Sequence, residues 1–203
     1  MPEPSRIARL RITLDDTEPT VWRTVEVPLT ASLKLLHEVI QAVMPFQDYH
    51  LFQFREGAIR YAIPDAEWTE GNTRRAKTTK LGALVDRGTT VFAYTYDFGD
   101  NWQHTITVEE VGRADRSIAY PRFLNGERRA PPEDVGGTMG FEEFLEAVTK
   151  PRHREHKRMV EWYGGPFDPG VIDRETIETA MAKLARRRAI GQAAFAKSRS
   201  QGA

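Results

Sequence analysis

A change of period divides this chain, and it constrains the fold more than any other feature. Early in the sequence, apolar residues recur at every second position. In "IARLRITL", Ala8, Leu10, Ile12 and Leu14 share one face, with Arg9, Arg11 and Thr13 on the other, the signature of a half-buried strand. "TVWRTVEVP" alternates again, with Val21, Val25 and Val27 sharing a face with Arg23 and with Trp22 opposite. The intervening "DDTEP" is a turn, so the two strands predict an antiparallel pair. "HLFQFREGAIRYAI" predicts a second hairpin turning at Glu56-Gly57, and "TTVFAYTY" and "HTITVEEV" predict a third around "DFGDNWQ".

Helical spacing first occurs between these hairpins. Leu36, Val39, Ile40 and Val43 predict a helix with Ser32 as N-cap and Pro45 as its stop. From residue 138 onward helical spacing takes over. Phe141, Phe144, Leu145 and Val148 follow Thr138 as N-cap. Pro151 suits the first turn of a second helix to about Trp162, and Asp173 caps a third with Ile177, Met181 and Leu184 buried. Residues 65–80 and 113–137 lack either period and are expected as a surface loop and a long irregular connection. Strands first and helices later predict an α+β domain: an antiparallel sheet built from hairpins, with helices packed on one face. The expected domain spans residues 6–188, with a frayed tail at 189–203.

A chain of 203 residues can bury a core without staples, and it contains no cysteine. Disulfides, thiolate metal sites and cysteine nucleophiles are thereby excluded. "MPEPSRIARLRITL" lacks the apolar core of a signal peptide, and no stretch approaches the length of an apolar membrane span. The expectation is a cytoplasmic protein with no membrane contact. With 29 basic and 29 acidic residues the net charge is zero, which argues against a surface wholly given to nucleic acid.

Several short stretches carry candidate chemistry. Asp97-Phe98-Gly99 matches the magnesium triplet of protein kinases, but the glycine-rich loop, strand lysine and H-R-D loop of that fold are missing. Asp97, Gly99, Asp100 and Asn101 suit a tight hairpin turn, with Phe98 and Trp102 folding back over the sheet. A metal reading pairs Asp97 with Asp100, with His104 reaching in from the adjoining strand; such hard ligands suit Mg or Mn. In "PPEDVGG", a glycine-rich helix start invites an anion, but Glu133 and Asp134 repel one and can satisfy the free N–H groups themselves. If this loop meets "DFGD", four carboxylates converge, which is costly without a cation. His153 and His156 are spaced as two ligands on a helix, yet Arg152, Arg154, Lys157 and Arg158 surround them and oppose a cation. Those residues, with Arg186, Arg187 and Arg188 and the "TRRAK" stretch, form candidate contacts to nucleic acid or a protein partner. His37 and His50 are expected as packed, hydrogen-bonded histidines. No serine stands on a nucleophile elbow.

Taken in order, "PTVWRTVEVP", "LHEVIQAVMPFQDYHLFQF", "YDFGDNWQHTITVE", "NGERRAPPEDVGGTMGFEEFLEAV" and "HREHKRMVEWYGGPFDP" resemble the plasmid pRiA4b ORF-3-like family from about residue 6 to about residue 185. The resemblance implies an α+β domain and an association with plasmids or mobile elements, and brings no mechanism with it. It also implies cysteines at places where this chain has Phe123, Ala130 and Val135, so a thiolate site of relatives would here be ordinary packing. Two readings follow. One is a binding module with an acidic cleft of Asp97, Asp100, Glu133 and Asp134 and a basic helical face. The other is a divalent-metal-dependent hydrolase acting on phosphodiesters, with His104 as general base.

Overall fold

The alternation at the N-terminus becomes a β-hairpin: β1 (Arg6–Leu14) pairs antiparallel with β2 (Val21–Pro28) in the register Leu10↔Val25. In the computed structural model, which describes residues 6–63 and 72–201, Ala8, Leu10, Ile12 and Leu14 are all buried. Arg9, Arg11 and Thr13 lie on the other face at intermediate burial. There Arg11 stacks 3.9 Å over the Trp22 ring, and Glu26 accepts from both Arg9 and Arg122.

The other two hairpins form as expected: β3 (Phe52–Glu56) with β4 (Ile59–Ala62), and β6 (Val91–Tyr96) with β7 (Trp102–Arg113). Two strands depart from the expected loops. Thr73–Arg75 forms β5, parallel to β4, where residues 65–80 were expected to be loop; residues 65–71 of that stretch lie outside the described part. Arg122–Glu127 forms β8 within the connection expected to be irregular. Both are edge strands, bonded by backbone and poor in buried side chains, so neither has a strong alternating signal. The result is one sheet in the order β5-β4-β3-β6-β7-β1-β2-β8, antiparallel except for β4 with β5.

Helix α1 (Leu33–Val43) lays Leu36, Val39, Ile40 and Val43 into the core, each contributing about 1.5–3 kcal/mol of transfer free energy. Ser32 caps it, accepting from the Leu35 N–H at 3.2 Å. A short helix, α2 (Leu81–Val85), buries Leu81 and Leu84. Helix α3 (Gly137–Thr149) is capped by Gly136 in the left-handed conformation rather than by Thr138, which falls inside the helix. Helix α4 (His156–Tyr163) begins later than expected, because residues 151–155 form turns. Phe144 of α3 meets Trp162, Tyr163 and Phe167 edge-on or tilted. Helix α5 (Arg174–Gln201) starts at Asp173, whose carboxylate accepts from the Thr176 N–H at 3.0 Å. Ile177 and Met181 are buried, and among the residues whose burial is described the last buried one in α5 is Ala185, so the helix continues past the core.

Candidate functional site

The site forms where three loops meet at one end of β6. The β6–β7 turn comes first. Asp97 and Asn101 both take positive φ, 53° and 56°, which aspartate and asparagine tolerate. Asp97 Oδ1 accepts from the Gly99 N–H at 2.9 Å, closing an Asx turn. The expected hairpin turn therefore exists, and Trp102 folds beneath it as a buried side chain. Asp97 itself is only 7% exposed, and its Oδ2 lies 3.5 Å from His50 Nε2.

The loop after α1 brings in the second element. The Asp97 N–H donates to Leu51 O at 3.0 Å, and the Tyr49 N–H to the Tyr96 hydroxyl at 3.1 Å. A closed polar circuit anchors this loop. His37 bonds the Tyr94 hydroxyl at 2.8 Å and Asp48 at 2.6 Å, Gln41 donates to Tyr94, and Gln41 accepts from the Asp48 N–H. The His37 ring also stacks on Phe52 at 3.7 Å. Burial, with Lys34 adding to it, pushes the His37 pKa down despite the pull of Asp48. His37 is thus packed and hydrogen-bonded as expected.

The 128–136 loop closes the site. Glu133 accepts from the Gln47 N–H at 2.7 Å and from the Tyr96 hydroxyl at 2.8 Å. Burial, followed by the Glu133 hydrogen bond and charge, keeps the Tyr96 hydroxyl protonated above its usual range. Asp100 Oδ2 accepts from the Gly136 N–H at 3.0 Å, and the Gly137 backbone lies directly against the Asp100 carbonyl. "DFGD" and "PPEDVGG" therefore do meet. Asp100, rather than Glu133 or Asp134, serves the start of α3, where a negative charge complements the helix dipole.

His50 is hydrogen-bonded as expected, but it stands partly exposed among the remaining carboxylates rather than packed in the core. Its Nε2 lies 2.8 Å from Asp134, 3.5 Å from Asp97 and 3.7 Å from Glu133. Burial works against the charged imidazole. The Asp134 hydrogen bond and the charges of Asp97, Asp134 and Glu133 together outweigh it and raise the His50 pKa. Ligand atoms of His50, Asp97 and Asp134 all lie within 4.8 Å of one another. Two ligands each about 2.1 Å from one ion stand about 3–4 Å apart, so small side-chain movements would close a shell. An imidazole beside two carboxylates shifts the preference from Mg towards Mn or Zn. Sequence spacing offered only His50 next to Leu51 as a signal, and nothing local reveals its partners.

His104 is not part of this site. Its ring is fully buried beside Tyr94 and Phe46, and burial lowers its pKa to about 4. It faces the core from β7 and cannot act as a general base for carboxylates at the sheet end. The "HREH" pair also separates: His153 accepts from the Glu155 N–H before α4 begins, while His156 bonds Ala147 O.

The basic residues have mixed environments. Arg158 and, more loosely, Arg154 pair with Glu155, Lys157 with Glu161, and Arg187 with Glu38. Arg188 bonds Thr30 and Gln192, while Arg152 and Arg186 are exposed. The three cysteine-equivalent places are packed: Ala130 is buried, and Phe123 and Val135 lie against the core.

Fold and site together define an α+β domain with a histidine–carboxylate cluster at the end of a mixed, mainly antiparallel sheet. The chain belongs to the plasmid pRiA4b ORF-3-like protein family, whose sequence profile matches residues 6–176. It is 39% identical over 180 residues to the uncharacterized protein y4hQ of Sinorhizobium fredii, covering 88% of this chain and 92% of that protein. It is also similar to the crystal structure of MM3350, a protein of unknown function from Methanosarcina mazei Go1. That match has a TM-score of 0.77 and 33% identity over 85% of this chain and 96% of that one. No helix among the described residues is long and apolar enough to cross a membrane.

Proposed function

We propose that the protein is a binding module whose acidic end takes up a divalent transition-metal ion through His50, Asp97 and Asp134, with Glu133 fixed beside them. The observation that carries this reading is the approach of those ligand atoms to within 4.8 Å of one another, from three separate loops. A cation would replace the proton on His50 Nε2 and neutralise carboxylates that now depend on one imidazole. Asp134 and His50 keep 63% and 32% side-chain exposure, so the outer side of the ion would stay open to water or to a partner's donor group. Open coordination also supports the metal-dependent hydrolase reading, which has however lost its expected base, His104. The exposed basic residues and the plasmid in the family's name favour a nucleic-acid partner in the cytoplasm.

Calorimetric titration with Mn, Zn and Mg tests the metal. Saturable Mn or Zn binding in the wild type, lost in His50→Gln and in Asp97→Asn/Asp134→Asn, is the expected result. Heats equal in wild type and variants would sink the reading. Phosphodiester cleavage by the Mn-loaded protein would move it to the hydrolase.

A further inference from the structure

Strand β2 carries one charge into the core. Arg23 shares its face with Val21, Val25 and Val27 and is 1% exposed. Among the described residues its partners are backbone carbonyls: Nε donates to Val43 O at 2.8 Å, and Nη1 to Trp22 O at 2.7 Å and Glu127 O at 2.9 Å. Among the described residues no carboxylate pairs with it, and Nη2 has no protein partner. A buried guanidinium without a counter-ion is costly, and burial lowers the Arg23 pKa to about 10, which leaves it charged at neutral pH.

Arg23 lines a cavity of about 440 Å³ between the end of α1, the 129–134 loop, the end of α4 and the start of α5. That volume suits a small organic molecule. Arg129 lines it too, held by Val171 O and the Tyr163 hydroxyl and over the Phe167 ring, with its charge felt by Asp173. The acids at the rim are engaged elsewhere: Glu133 by Gln47 and Tyr96, Asp134 by His50, and Asp173 by Thr176. Trp162, Tyr163 and Pro131 supply an apolar wall, with Trp162 49% exposed.

We propose that this cavity binds a small organic monocarboxylate, its carboxylate seated on Arg23 and its apolar body against Trp162 and Tyr163. A carboxylate oxygen can accept from the Nη2 hydrogens that the three carbonyls leave free, and the ligand supplies the missing single charge. The rim acids select against a dianion, so phosphate is disfavoured. The site does not rest on the metal reading, and assaying it in EDTA keeps the two apart.

Phenylacetate, phenylacetamide and inorganic phosphate are titrated into the wild type, Trp162→Ala and Arg23→Met, following binding by calorimetry and folding by thermal melting. Phenylacetate should saturate the wild type and the amide should not. Trp162→Ala, which alters an exposed wall residue, should weaken phenylacetate at least about tenfold, or about 1.4 kcal/mol. Arg23→Met should abolish binding while retaining a cooperative melt; if it does not fold, the amide comparison and Trp162→Ala decide. No saturation up to about 10 mM, equal binding of acid and amide, unchanged affinity in Trp162→Ala, or preference for phosphate would each overturn the proposal.

Discussion

Acidification should destabilise this protein through His104, and the size of the effect follows from its burial. The imidazole is wholly enclosed, its Nδ1 lies 3.2 Å from Trp102 O, and its Nε2 has no partner. Its pKa falls from 6.5 to about 4 on folding. The unfolded chain therefore binds this proton below about pH 6.5, while the folded chain refuses it until about pH 4. The stability is fully present above the unfolded value and is lost as pH falls through the folded one. At 1.36 kcal/mol per pKa unit, the loss is about 2 kcal/mol between pH 7 and pH 5 and about 3 kcal/mol in full. Urea unfolding of the wild type and of His104→Leu across this range isolates the term, because the depressed pKa of His37 contributes to both proteins alike. At pH 7 the variant should lose little, since it removes an unsatisfied buried nitrogen along with one weak hydrogen bond. Its stability should fall by about 2 kcal/mol less than the wild type's on going to pH 5. Equal slopes in the two proteins, or an imidazole resonance of His104 titrating near pH 6.5, would refute the reasoning.

Gly137→Ala should cost at least about 2 kcal/mol by denaturant titration. Gly137 has φ +67°, and a Cβ there would stand 2.5 Å from the Asp100 carbonyl; unchanged stability would disprove the close meeting of the two loops. Glu26→Gln should cost about 1–2 kcal/mol, discounted because Arg9 and Arg122 remain 40% and 38% exposed and can rehydrate. A neutral effect on chemical unfolding would show that the ion network on that sheet face is incidental. For the basic segment 152–158, Arg152→Gln/Lys157→Gln should reduce salt-dependent retention on duplex DNA and leave thermal stability unchanged. Retention identical to the wild type would remove this segment from any nucleic-acid contact.

Period and capping chemistry were enough to specify the three hairpins, α1 with its Ser32 cap, the start of α5 at Asp173 and the turn at Asp97, because each depends on residues near in sequence. The same local signals left out β5 and β8, whose strand character comes from hydrogen bonds offered by β4 and β2 rather than from their own side chains. They also misplaced the cap of α3. Thr138 has the right chemistry, but Gly136 adopts the left-handed backbone and its N–H is taken by Asp100, 36 residues earlier. Aspartates 97 and 134 and Glu133 were identifiable as candidates, while His50 was not, for its contact to Asp134 spans 84 residues. His104 had the opposite fate. Alternation correctly put it on a strand, but which face met the core, and hence whether it could act as a base, depended on packing against Phe46 and Tyr94. Arg23 combines both lessons: the sequence alone set it among valines on a buried face, and only the folded chain surrounded it with carbonyls and opened a cavity beside it. Local pattern reports which side of an element is apolar; the partner of a buried charge is decided by loops that close across the whole domain.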